Sequence, residues 1–241
     1  MQRETTMGGG ASAFPQTRWT LIRASREGLE SRRLALEELL AAYWKPLYFF
    51  VRRKGLSVEC AKDAVQGFFL HLMEGDVFSR LDGGKGSFRA YLRTAMSHYL
   101  ANLYESQSAQ KRGGGIKIVA LDFEAAERDV AETAASPEAA FDREWALSVM
   151  ERSLGRLRQE FDSGIRSGPF HIFEKSFRLG ETPSYDTAAA ECSMSVVQFK
   201  AFLHRTRVRF RDLVRQEVSQ TVTDEREAEA EIAELFKALS A

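Results

Sequence analysis

Between Pro183 and Val218 the chain sets out a short helix signal, a three-residue turn at Cys192-Ser193-Met194, and a long basic helix opening at Ser195. Val196, Phe199, Leu203, Thr206, Phe210 and Leu213 recur at three- and four-residue intervals, so they share one side of a helix, and that side must be buried. Lys200, His204, Arg207, Arg211 and Arg215 form a strip beside it, with Gln198 and Arg205 expected on the side farthest from the core. From Val196 to Glu217 six Lys or Arg stand against two acids, a local balance of +4 in a chain of zero net charge. One apolar stripe facing its own domain, with cations left free for phosphates, is the layout of a helix laid in a DNA major groove. The preceding segment, Tyr185 to Glu191, opens with Thr182-Pro183-Ser184 and is rich in alanine, so a second helix can cross it closely.

The 241 residues, 44% of them hydrophobic, suffice for a sizeable core or for two small domains. No apolar run reaches membrane-spanning length and no signal-peptide hydrophobic region opens the chain, so a cytoplasmic protein without a membrane partner is expected. Cys60 and Cys192 are far apart and lie in helical patterns, which fits reduced thiols. His71, His98, His171 and His204 do not join them at ligand spacing, so neither a metal nor another cofactor is expected.

The apolar runs have a period near 3.6 and no alternating strand pattern interrupts them, so the expected fold is all-α. Residues 1–16 read as a disordered tail and 17–112 as a first small helical domain, with helices over Thr17 to Arg26, Ser31 to Arg53, Ser57 to Glu74 and Ser87 to Arg112. Ser31, Ser57 and Ser87 are the expected N-caps. Residues 113–136, with three glycines and then five acids against two bases, read as a flexible acidic linker. A second small domain follows over 137–218, with helices from Pro137 to Phe161, Gly168 to Arg178, Tyr185 to Glu191 and Ser195 to Val218. Residues 219–241 form an acidic tail with a helix over Asp224 to Leu239, six acids against two bases. Its Ile232, Leu235, Phe236 and Leu239 have helical spacing, so the tail should pack on something, and its acids could cover basic surfaces when DNA is absent.

In the first domain aromatic and basic groups are interleaved. Phe88, Tyr91, Tyr99 and Tyr104 could stack on unpaired bases, although Phe88, Leu92 and Tyr99 also have core spacing, and Arg89, Arg93, Lys111 and Arg112 could neutralise phosphates. The glycine loop Leu81-Asp82-Gly83-Gly84-Lys85-Gly86 lacks the spacing of a Walker phosphate loop. No nucleophile beside a base and no paired catalytic carboxylates stand out, so binding and strand separation, not an enzymatic reaction, are expected.

Several segments resemble one family. Glu59 to Leu70 contains Asp63, Gln66 and Phe69 in an Asp-x-x-Gln-x-x-Phe pattern, Phe88-Arg89-Ala90-Tyr91-Leu92 opens the basic-aromatic helix, and Lys200-Ala201-Phe202-Leu203-His204-Arg205-Thr206-Arg207 lies in the second domain. Together with Tyr43-Trp44-Lys45-Pro46-Leu47-Tyr48 and Gly113-Gly114-Gly115 they are similar to the extracytoplasmic-function (ECF) sigma factors, small two-domain members of the sigma-70 family of bacterial transcription initiation factors. The resemblance implies that Asp63, Gln66 and Phe69 dock on core RNA polymerase. It implies that Lys85, Arg89, Arg93, His98, Asn102, Lys111 and Arg112 serve the melted minus-ten strand. For the minus-thirty-five duplex it implies Ser195, Gln198, Lys200, His204, Arg205, Arg207 and Arg211, with Arg205 and Arg207 anchoring and Gln198 and Lys200 discriminating. Partners would be core polymerase, promoter DNA and an anti-sigma or other regulator, with the protein itself a monomer. Gly67 departs from the family where many members carry Glu, Ser193 where Gly is usual, and His98 and Asn102 where Asn and Asp are usual. The alternatives are a stand-alone helix-turn-helix regulator whose first block senses a ligand or dimerises, and an interaction-only protein of sigma ancestry.

Overall fold

A computed structural model of the chain describes residues 29–74, 87–107, 126, 136–161, 167–179 and 184–240. Among them are eight helices and no strand, in agreement with the all-α expectation: α1 (Leu29–Arg53), α2 (Val58–Glu74), α3 (Phe88–Gln107), α4 (Pro137–Phe161), α5 (Ser167–Leu179), α6 (Tyr185–Glu191), α7 (Val196–Ser219) and α8 (Glu225–Ser240). No helix among the described residues is long and apolar enough to cross a membrane. The helix expected over Thr17 to Arg26, the glycine loop at 81–86 and the segment 108–125 lie outside the described residues.

Ser57 and Ser87 do cap helices, their hydroxyls accepting from the Cys60 and Ala90 amides at 3.3 Å each. Ser31 does not, because α1 already runs through it from Leu29. The acidic C-terminal helix α8 is closed at its start by two reciprocal bonds. The Glu227 amide donates to the Asp224 carboxylate at 2.8 Å, and the Thr223 amide donates to the Glu227 carboxylate at 2.9 Å. Acids in the first turn also complement the positive end of the helix dipole.

The two sequence blocks meet along α1 and α4, which pack more extensively on each other than any other helix pair. Tyr43 and Phe50 of α1 surround Phe141 of α4 at ring distances of 6.5 and 6.1 Å, and the buried apolar side chains of both blocks join in one cluster. Of the segment expected as a linker, Ala126 and Ser136 are described; Ala126 is fully buried in that cluster and Ser136 is exposed at the start of α4. Pro46 has no amide hydrogen, so the Ala42 carbonyl one turn earlier lacks its usual intrahelical donor. The Arg152 guanidinium of α4 donates to that carbonyl at 3.4 Å, turning a gap in α1 into a contact between the blocks. The tail helix packs on α4 and α7, burying Ala228, Glu231 and Leu235 while Phe236 stays exposed.

Within the first block α2 and α3 cross at Gly67. A Cβ there would lie 2.5 Å from the Tyr99 hydroxyl oxygen and 3.6 Å from its ring carbon, and the Tyr99 ring lies against Phe68 and His71 at 5.5 and 5.8 Å. Glycine at this position is therefore accounted for by packing. Gly67→Ala gains roughly 1 kcal/mol of helix propensity but must displace Tyr99. In a double-mutant cycle measured by urea denaturation, the substitution should be more stabilising in a Tyr99→Phe background than in the native chain, by about 1 kcal/mol. Additive effects would show that the close approach is not what reserves the site for glycine.

Candidate nucleic-acid interface

The α6–turn–α7 unit is built from local bonds. Ser184 caps α6 by accepting from the Thr187 amide at 3.1 Å, and Ala188 and Ala189 are buried where α7 crosses. The turn residues Cys192, Ser193 and Met194 return their amides to the carbonyls of α6, the Met194 amide reaching Ala189 at 2.9 Å. The direction change falls on Ser193, at φ +52°, the one non-glycine among the described residues with a positive φ. Helix α7 then opens with a capping box. The Ser195 hydroxyl accepts from the Gln198 amide at 3.2 Å, and the Gln198 side-chain oxygen accepts from the Ser195 amide at 2.9 Å.

Five members of the expected stripe, Phe199, Leu203, Thr206, Phe210 and Leu213, are buried and Val196 is half-buried. The buried side is wider than the spacing alone predicted. Phe202 packs edge-on to Phe161 at 5.6 Å, and Val214, Glu217 and Val218 are also covered. Glu217 carries its charge inside by accepting from Arg156 at 2.9 Å and from Arg152 at 3.4 Å. With Phe202 in the core the outermost line of α7 runs near Val208, and exposed Arg205 stands about 60° to one side of it, as far out as Arg211 on the other, with Gln198 beside Arg205. At 100° per residue the outermost ridge is Val197, Ala201, His204, Val208, Asp212 and Arg215, with Arg211, Lys200 and Arg207 progressively further round one side.

Lys200, His204, Arg207 and Arg211 are exposed within about 60° of one another on one face of α7, and Arg205, also exposed, lies about 160° round the helix from Arg207. The Lys200 ammonium lies 4.9 Å from the Tyr185 ring centre, which holds it beside the turn. Ser195 and Gln198 are exposed, but their hydroxyl and amide oxygens are engaged in the cap, which bears on the base-reading role expected of Gln198. Arg209, half-exposed, forms a two-pronged pair with Glu160 at 2.6 and 2.9 Å, and that hydrogen bonding holds the Glu160 carboxyl below its ordinary range. Sequence spacing missed Val197. It is 78% exposed in the first turn of α7, where a recognition helix meets base edges. The available signal was a valine placed outside the apolar stripe that Val196 and Phe199 begin.

The minus-ten set is divided. His98 and Asn102 are exposed one turn apart on α3, and Tyr104 is the exposed aromatic of that helix, while Phe88 is fully buried and Tyr91 and Tyr99 are half-buried. Arg93 lies about 140° round the helix from His98, half-buried and 3.3 Å from Asp142. Lys85, Lys111 and Arg112 lie outside the described residues. Arg89, expected at a phosphate, is only 8% exposed. It donates to both oxygens of Glu231 at 2.8 and 3.0 Å, pairs with Asp142, and lies 4.4 Å from the Trp145 ring centre. Burial acts against the guanidinium charge, and the Glu231 bonds and charge together with Asp142 overcome it, raising its pKa above the ordinary value. Next to this knot burial, and then the charge of Glu231, pushes the Tyr43 hydroxyl up to about 12.

On α2 Asp63 is exposed and Gln66 half-exposed one turn on, but Phe69 is 2% exposed and belongs to the core. A groove of about 450 Å³ between the blocks is lined by Glu38, Tyr43, Arg152, Arg156 and Glu217, and both arginines are already paired with Glu217. The described residues hold no group of three or more His, Cys, Asp or Glu placed to bind a metal ion. No family model, curated protein or solved structure matches this chain.

The left-handed backbone at Ser193 costs about 1 kcal/mol that glycine does not incur. Ser193→Gly should therefore raise the unfolding free energy by up to about 1 kcal/mol, less the added freedom of the unfolded chain. A loss of stability in urea denaturation would show that the serine side chain itself holds the turn.

Proposed function

We propose that this protein is a bacterial transcription initiation factor of the ECF sigma type, which acts in the cytoplasm, binds core RNA polymerase and directs it to promoters by recognising two DNA elements. The observation that carries the proposal is the capped, left-handed turn that projects α7 with its cationic face open. Lys200, Arg207 and Arg211 would contact phosphates and fix register, while Val197, Ala201 and His204 would meet base edges. An exposed valine suits the methyl group that thymine alone presents in the major groove. In the first block, Asp63 and Gln66 would engage the polymerase, and His98, Asn102 and Tyr104 would face the melted strand. No cofactor or covalent step is needed, because the work is binding and strand separation. One core shared by both blocks favours a second reading, a stand-alone helix-turn-helix regulator that binds DNA as a single body.

Selection of duplexes by the full chain from a random pool tests the DNA reading. A defined sequence should be enriched. Arg207→Ala should weaken binding to selected and unselected duplexes alike and reduce the salt slope by about 0.9. Val197→Ala should lower the preference for thymine over deoxyuridine at one position by roughly fourfold, the worth of about 0.8 kcal/mol for one buried methyl. Absence of any enriched sequence would contradict the proposal.

A further inference from the structure

Arg89 opens α3, the helix that the proposed function assigns to the melted strand, yet its guanidinium is enclosed by Glu231 of α8 and by Asp142 and Trp145 of α4. The same helix start is tied a second time, because the Phe88 amide donates to the Thr221 carbonyl at 2.8 Å, in the turn that leads into α8. Two of these ties come from the last twenty-one residues of the chain, 142 positions away in the case of Glu231. The apolar interface that α8 offers is a single stripe: Ala228, Glu231 and Leu235 are buried, and Ile232, Ala238 and Leu239 are half-buried against the core.

We propose that α8 is an internal stand-in for nucleic acid, with Glu231 occupying the arginine that a strand phosphate takes when α8 is displaced. The inference rests on the assignment of α3 to single-stranded DNA and adds its regulation. A carboxylate and a phosphate make the same two-pronged bond to a guanidinium, so one can replace the other without leaving Arg89 uncompensated. A buried ion pair is rarely more stabilising than an apolar contact of the same shape, so permanent docking of α8 would be served as well by leucines. The charged pair differs in what happens on parting, since both of its ends are readily hydrated, and the apolar stripe of Ile232, Leu235, Ala238 and Leu239 sets the cost of undocking. The acidic helix would then hold the strand site shut against stray nucleic acid and yield where a polymerase presents the melted strand.

The test measures binding of a short single-stranded oligonucleotide of mixed sequence by the full chain, its Glu231→Gln variant and a chain ending at Thr223, with amide hydrogen exchange across 225–240. The variant and the shortened chain should bind at least about tenfold more tightly than the native chain, the gain being the cost of undocking α8. Adding Arg89→Ala should abolish that gain, and oligonucleotide should speed exchange in 225–240 of the native chain. If Glu231→Gln loses helical signal, the shortened chain decides, and a 225–240 peptide added in trans should return it to native affinity. Equal affinity of all three forms would overturn the inference while leaving DNA binding by α3 intact. Failure of every form to bind the oligonucleotide would overturn the inference and the assignment of α3 together, while selection of duplexes through α7 would stand or fall separately.

Discussion

A guanidinium enclosed at the junction of three helices sets the terms for the rest of the structure. An arginine cannot shed its charge, so Arg89 must have acidic partners wherever it is buried. Glu231, Asp142 and the face of Trp145 answer that requirement, and in doing so they bring α8 and α4 against the start of α3. The apolar contacts of Tyr43 and Phe50 with Phe141 hold α1 to α4 alongside. Arg152 strengthens that seam by filling the carbonyl that Pro46 leaves open. The two blocks therefore share an interior although each carries its own candidate binding face.

The two faces stand in different states. On α7 the core takes Phe199, Phe202, Leu203 and Phe210, and the opposite ridge is left to solvent with its cations exposed. Among the described side chains of α3 the exposed groups are neutral or those of His98, and the arginines at its start are engaged with carboxylates. Under the proposed function the open face would be the one that finds duplex DNA, and the engaged one would be freed later.

Local signals carried most of what was legible in the sequence. Helix α6 spans Tyr185–Glu191 as its cap and alanines predict, and α4 spans Pro137–Phe161, because such boundaries are set by residues within a few positions. The cationic face of α7 follows in the same way from period alone. The burial of Arg89 does not, since the residue that neutralises it is 142 positions distant and no spacing rule links them. Phe69 has the pattern of a docking residue but faces inward, because only tertiary packing decides which side of α2 the core takes. Gln198 is legible as the last member of a Ser-x-x-Gln capping box, a local pattern that engages its amide oxygen at the helix start.

Whether the two faces serve transcription initiation turns on the polymerase. The most direct measurement is co-elution of the purified full chain with bacterial core RNA polymerase on a sizing column, beside a variant in which exposed Asp63 and half-exposed Gln66 are both alanine. The account predicts that the native chain travels with the polymerase and that the variant does not. A native chain that elutes alone, from core enzyme of its own or a close source, while still binding duplex DNA would contradict it and leave the stand-alone regulator.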